Sequence, residues 1–169
     1  MSINILKGVV FLTITSNIKW KSLLLNLAIP LAVGGVAALI TNNGFENYDT
    51  VIKPALSPPA WLFPVVWTIL YAVMGISTYL IYEKDKVINR KSFMIYAVQL
   101  ALNFIWPIFF FGFDAYLFSF IILILLIIFV IAMIILFYKE NRLAGILQIP
   151  YLLWLLFAAY LNLSVYLLN

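Results

Sequence analysis

The chain has 169 residues, 66% of them hydrophobic and 9% charged, with a net charge of +4. A soluble domain carries about 25% charged residues, so this chain cannot clothe a water-facing surface, and its solvent must be lipid. It has no cysteine and no histidine, which excludes disulfides, thiolate catalysis and the commonest metal ligands, and leaves no side chain that titrates near neutrality. The six carboxylates fall almost entirely in loops or at helix ends, so a hydrolytic or metal centre has little to be built from. The basic residues are scattered over loops and read as topology signals rather than as a nucleic-acid surface.

Residues 1–20 are expected to form an interfacial or disordered leader. Ile3 to Thr15 is apolar but interrupted by Lys7, and it falls short of the roughly twenty residues a span requires. Residues 21–169 are expected to form one domain, an all-α integral membrane protein built as a bundle of five transmembrane helices. The first span is Leu23 to Ile40, with Pro30 and Gly34-Gly35 inside it. Gly34 and Ala38 form a small-xxx-small pair that permits close helix contact, read as packing within the chain. Thr41-Asn42-Asn43-Gly44 tolerates the left-handed conformation that ends helices, which predicts a loop over 41–60. That loop is stiff, because Pro54, Pro58, Pro59 and Pro64 lie within eleven residues and proline fixes φ and removes a backbone donor.

The second span is predicted at Trp61 to Tyr82, the third at Ser92 to Phe111, and Gly112-Phe113-Asp114-Ala115 as a tight turn. The fourth, Tyr116 to Tyr138, is almost entirely Ile, Leu and Phe and is expected to face lipid over much of its surface. The fifth runs from Leu143 to Leu168 with Pro150 in its first turns. Five spans put nine of the ten basic residues on one side and leave Lys53 alone on the other. Lysine and arginine bias loops toward the cytoplasm. The expected orientation is therefore N-terminus and basic loops cytoplasmic, with the 41–60 loop extracytoplasmic.

Polar groups in hydrocarbon are costly and turn toward the bundle interior. Gln99, Asn103, Trp106 and Phe110 follow helical spacing on the third span. So do Tyr151, Trp154, Ala158 and Asn162 on the fifth. On the second, Trp61, Thr68, Tyr71 and Gly75 share roughly one face. Singly, the tryptophans fit an interfacial belt, the asparagines fit helix–helix contacts, and Pro107 fits a kink. Together the stripes suggest an aromatic cavity with an amide or two, suited to a large, flat, apolar ligand held by stacking and burial.

The run Lys53-Pro54, Ser57-Pro58-Pro59-Ala60-Trp61 and Pro64-Val65-Val66-Trp67-Thr68-Ile69-Leu70-Tyr71 resembles the signature of the TspO/MBR family. Gln99 to Gly112 and Pro150 to Asn162 are similar to that family's third- and fifth-helix motifs. The resemblance implies a five-helix bundle, often dimeric, in a bacterial cytoplasmic membrane, with a pocket capped by the first loop. It implies protoporphyrin IX or haem as ligand, and isoquinoline- or benzodiazepine-like small molecules. It matches Trp61, Asn103, Trp106, Trp154, Ala158 and Leu161 to pocket positions, and Trp61 and Trp154 to tryptophans implicated in light-dependent porphyrin breakdown. Three positions depart from the pattern. Leu56 stands where the family often has Trp, and Phe118 where it has a further pocket Trp. Leu163 and Leu167 stand where a sterol-recognition pattern has Tyr and then a basic residue, which leaves sterol binding without its usual residues. With no histidine or cysteine a bound haem lacks a strong axial ligand, so no metal or other cofactor is required and metal-free porphyrin should bind about as well.

The leading expectation is a tetrapyrrole-binding sensor, carrier or scavenger. Photochemical porphyrin breakdown at Trp61 and Trp154 is an alternative that needs no acid–base pair. A transporter is a second, weighed down by the lack of intramembrane charge in spans two to five and of an inverted repeat. A purely structural membrane protein would leave the proline-capped tryptophan loop idle.

Overall fold

A computed structural model describes residues 18–85 and 87–169, with the backbone alone for 42–49 and 85. The expectation of a leader over 1–20 therefore lies, up to residue 17, outside the described residues. The described residues form helices joined by short connections: α1 (Trp20–Thr50), α2 (Leu62–Asp85), α3 (Arg90–Pro107), a π-helical turn (Ile108–Gly112), α4 (Tyr116–Glu140), α5 (Arg142–Ile146) and α6 (Ile149–Leu168). Among the described residues five segments are long and apolar enough to cross a membrane, α5 and α6 together making the fifth.

The first helix departs from expectation. It does not stop at Thr41 but continues to Thr50, so the connection to α2 shrinks from 41–60 to 51–61. The Thr41 hydroxyl donates to the Ala37 carbonyl at 2.9 Å within the helix. Residues that tolerate a left-handed cap do not compel one, and one glycine in a helix costs only about 1 kcal/mol. The helix ends only as the chain nears Pro54, with Val51 already extended. At 1.5 Å per residue its 31 residues reach about 46 Å, beyond the roughly 30 Å of hydrocarbon, so its last turns stand clear of the apolar layer.

Two other breaks follow proline. Pro107 closes α3, and the π turn behind it carries Phe110 and Phe111, both buried. A π turn winds one extra residue into the ladder and often marks a functional site. Pro150 divides the predicted fifth span: it lacks an N–H and crowds the carbonyl four residues back, so α5 stops at Ile146 and α6 begins at Ile149. The turn at 112–115 forms as expected, with Asp114 at φ 51°, where Asp is better tolerated than bulkier residues.

The helices close into a ring in which α1 packs on α2 and α3, α3 on α4, α4 on α6, and α5 returns to α2. The fourth helix buries one stripe, Ser119, Ile122, Leu126, Val130, Met133 and Phe137, and exposes Ile121, Ile128 and Ile135, as its uniform apolarity led one to expect. The approach of α1 to α2 depends on Gly75, where an added Cβ would lie 2.7 Å from the Leu27 Cα and 2.8 Å from the Asn26 carbonyl oxygen. On the basic side, Lys19 pairs with Glu83 at 3.2 Å, and Ser92 on α3 bonds the Glu140 carboxylate at the end of α4.

Candidate ligand cavity and family relationships

The segment between α1 and α2 is built by its prolines. The Ser57 N–H donates to the Pro54 carbonyl at 2.9 Å, which folds 54–57 into a turn. The N–H groups of Leu62 and Phe63 then bond the carbonyls of Pro59 and Ala60 at 3.0 and 3.3 Å and start α2. Trp61 falls just before the helix and is 65% exposed, at the rim of a cavity of about 390 Å³.

Small residues on α1 make the room. Gly34, Ala37, Ala38 and Thr41 form one wall, and aromatic rings from α2, α3 and the π turn form the others: Phe63, Trp67, Tyr71, Trp106 and Phe111. Gly34 is a notch for the Tyr71 ring, since a Cβ there would lie 2.1 Å from its Cε2. Trp67 sits 5.7 Å from Tyr71, 5.9 Å from Trp106 and 6.2 Å from Tyr151, centroid to centroid. Trp106 stacks on Phe110 at 5.6 Å and meets Phe111 edge-on at 6.1 Å. Such ring pairs contribute about 0.5–1.5 kcal/mol each beyond area burial, so the wall is preorganised rather than assembled around a guest.

Two hydrogen-bonded networks fix the polar groups. The Tyr71 hydroxyl donates to Asn103 Oδ1 at 2.6 Å, Asn103 Nδ2 donates to the Tyr151 hydroxyl at 2.6 Å, and that hydroxyl donates to Gln99 Oε1 at 3.1 Å. This file ties α2, α3 and α6 together, and its Tyr71 and Asn103 members line the cavity. In the second, Trp106 Nε1 donates to Asn162 Oδ1 at 3.0 Å, Ser119 lies 3.1 Å from the same oxygen, and Asn162 Nδ2 donates to the Tyr116 carbonyl at 2.8 Å. The cavity thus offers a nearly apolar surface with Asn103, Tyr71 and Thr41 as its polar side chains. Among the described residues no cluster of His, Cys, Asp or Glu could hold a metal.

Of the residues singled out in the sequence, Trp61, Tyr71, Asn103 and Trp106 line this cavity. Phe110, Ala158 and Leu161 line a separate void of about 10 Å³ behind Phe63, Trp106 and Phe111. Gln99 and Tyr151 lie fully buried in the polar file. Trp154 lies outside the cavity, edge-on to Phe63 at 6.0 Å, in an outer groove with Val66, Leu70 and Phe157. Thr68 is exposed and bonds the Pro64 carbonyl at 2.7 Å. Phe118 is half exposed and rests on Phe109 at 4.7 Å.

Sequence reasoning did not place Phe63, Trp67 or the small residues of α1 in the cavity, reading Gly34 and Ala38 only as packing within the chain. Their signals were present: Phe63, Trp67 and Tyr71 recur every four residues, and Gly34, Ala38 and Thr41 recur at helical spacing. Counting the face of α2 from Trp61 misdirected it. Trp61 precedes the helix, so its direction is set by the loop and not by the helical angle.

Five spans, a proline-built loop, and a tryptophan cavity with an asparagine at its base form a combination that comparison with known proteins can place. Residues 26–168 match the model of the TspO/MBR family. The chain belongs to the TspO/MBR family. It is 35% identical over 153 residues to the tryptophan-rich protein TspO of Chlorobaculum tepidum, covering 88% of this chain and 96% of that one. It is 38% identical over 140 residues to the tryptophan-rich protein TspO of Archaeoglobus fulgidus, covering 82% and 91%. The translocator protein of Ovis aries is 36% identical over 126 residues, covering 73% and 75%. Membership in the TspO/MBR family together with the five spans makes this an integral membrane protein.

Proposed function

We propose that this protein binds a large, flat, mostly apolar molecule of the tetrapyrrole class, such as protoporphyrin IX or haem, and serves as its sensor, carrier or scavenger. The observation that carries the reading is the cavity of about 390 Å³ between α1 and α2. It is walled by Trp67, Tyr71 and Trp106, has Trp61 at its mouth, and holds Asn103 fixed at its base. Rings stack on the aromatic walls and release water, while the amide orients one polar edge of the guest. With no histidine or cysteine in the chain, affinity rests on ring burial, and the metal-free and iron-bearing rings should bind within a few-fold of each other. The same walls suit isoquinoline- or benzodiazepine-like molecules. The names of two relatives, tryptophan-rich sensory protein and translocator protein, agree with sensing or carriage. In this reading the basic loops are cytoplasmic and the cavity opens on the opposite side.

The test is a titration of protoporphyrin IX into the purified protein in detergent, followed by tryptophan fluorescence. Saturable quenching, weakened at least tenfold by Trp106→Ala, is expected; quenching that never saturates would refute the pocket. A photochemical reading draws on Trp61 at the cavity mouth. Illuminating the complex should then bleach the porphyrin bands more slowly in Trp61→Phe, and an unchanged rate would remove that role.

A further inference from the structure

Phe118 stands outside the main cavity and lines a second space, a groove of about 600 Å³ where the start of α4 meets the end of α6. The groove shares no lining residue with the main cavity. It lies at the end of the bundle that carries the proline-built loop, because Asn169 on its wall holds Ile52. Three rings line it, Tyr116, Phe118 and Tyr166. Two of them are braced from behind: Phe118 rests edge-on against Phe109 at 4.7 Å, and Tyr116 against Phe110 at 5.4 Å. The Asn169 amide is engaged within the protein, accepting from the Ile52 N–H and donating to the Ile52 and Val165 carbonyls. The remaining polar feature is a charge. Asp114 sits in the turn at φ 51°, and the Tyr116 hydroxyl donates to its Oδ1 at 3.1 Å, which holds the carboxylate close to that residue's ring. Among the described residues no cation pairs with Asp114, and none of those lining the groove is basic.

A carboxylate without a counter-ion beside three aromatic rings selects for positive charge. Ring faces attract ammonium groups, and a carboxylate next to a low-dielectric surface attracts them more strongly than it would in bulk water. The rest of the groove is apolar. Leu117 and Ile121, one turn apart on α4 and half exposed, lead from Asp114 along the helix. We propose that this groove binds an amphiphilic organic cation, with its ammonium head held by Asp114 and the rings and its apolar tail laid along Leu117 and Ile121. A phospholipid is a poorer match, because no basic residue in the groove would meet its phosphate. An aromatic belt at the membrane boundary accounts for Tyr and Phe at this end of the bundle, but a belt has no preference for the sign of a charge.

The test is equilibrium dialysis of the full chain in detergent, with detergent alone on the other side, against three probes that share a hexyl tail: hexyltrimethylammonium, hexylphosphocholine and hexyl sulfate. Hexyltrimethylammonium should bind saturably, at least about threefold tighter than hexylphosphocholine and tenfold tighter than hexyl sulfate. Asp114→Asn, which suits the left-handed backbone as well as aspartate does, should weaken the ammonium at least about threefold and leave hexylphosphocholine unchanged. Phe118→Leu and Tyr166→Leu, both at exposed positions, should each weaken it about twofold. Saturating protoporphyrin IX should not displace it. Equal binding of the three heads would reduce the groove to an apolar belt, and tighter binding of hexylphosphocholine would make it a phospholipid seat; either result overturns the proposal. So would an Asp114→Asn protein that binds the ammonium as wild type does, or displacement by porphyrin, which would put the cation in the main cavity. Circular dichroism reports whether Asp114→Asn folds, and the Phe118 and Tyr166 variants carry the test if it does not.

Discussion

Asn103 offers the sharpest test of how the site is held. It accepts from Tyr71 and donates to Tyr151, both at 2.6 Å, and is 1% exposed. Asn103→Leu keeps the volume and removes both bonds. The Tyr151 hydroxyl still donates to Gln99, but the Tyr71 hydroxyl, 6% exposed as a residue, loses its acceptor. A buried polar group left without a partner costs about 1–3 kcal/mol. Interhelical hydrogen bonds in membrane proteins average a smaller coupling of roughly 0.6 kcal/mol and reach about 1.7, because the unfolded chain in lipid also finds partners. The expected loss for Asn103→Leu is therefore about 1–2 kcal/mol, with Tyr71→Phe at about 1 kcal/mol. The two should couple, because in the double variant no buried hydroxyl is stranded, and its total should fall short of the sum by at least about 0.6 kcal/mol. The assay is reversible unfolding by sodium dodecyl sulfate in mixed micelles, read by circular dichroism. Strict additivity, or an Asn103→Leu protein as stable as wild type, would refute the claim that this file fastens α2 to α3.

The glycines of the first two helices separate packing from composition. Gly75→Ala drives a Cβ into the backbone of α1 at Leu27 and Asn26 and should cost about 1–3 kcal/mol, seen as a lower melting temperature. Gly35→Ala meets nothing within 4 Å and should be neutral or slightly stabilising. Trp106→Phe removes the bond to Asn162 and should cost about 1 kcal/mol, while Ser119→Ala, which leaves the indole bond intact, should cost less; equal losses would argue against the indole as the anchor. The loop is clamped at its start, since the Ile52 N–H donates to Asn169 Oδ1 at 3.1 Å and Asn169 Nδ2 donates to the Ile52 carbonyl at 3.2 Å. Asn169→Ala should raise hydrogen exchange across 51–57 with little change in global stability.

The sequence by itself determined the solvent, the five spans seen among the described residues, and the family. These depend on quantities that add along the chain: apolar length, charge count and short motifs such as Ser57-Pro58-Pro59-Ala60-Trp61. Helical spacing also marked Asn103 and Trp106 as inward-facing, because polar and amphipathic groups in hydrocarbon must turn toward protein. Tertiary structure decided where the ends and partitions fall. Whether Thr41 ends α1 depends on a small local preference that a continuing helix overrides. Whether Trp154 meets the cavity depends on a ring from another helix, Phe63, standing between them. Trp67 displaced Thr68 as the lining residue because α2 begins after Trp61. At about 100° of turn per residue, Phe63, Trp67 and Tyr71 share one face of α2 while Thr68 lies off it, and Trp61, being outside the helix, cannot serve as the reference for that count.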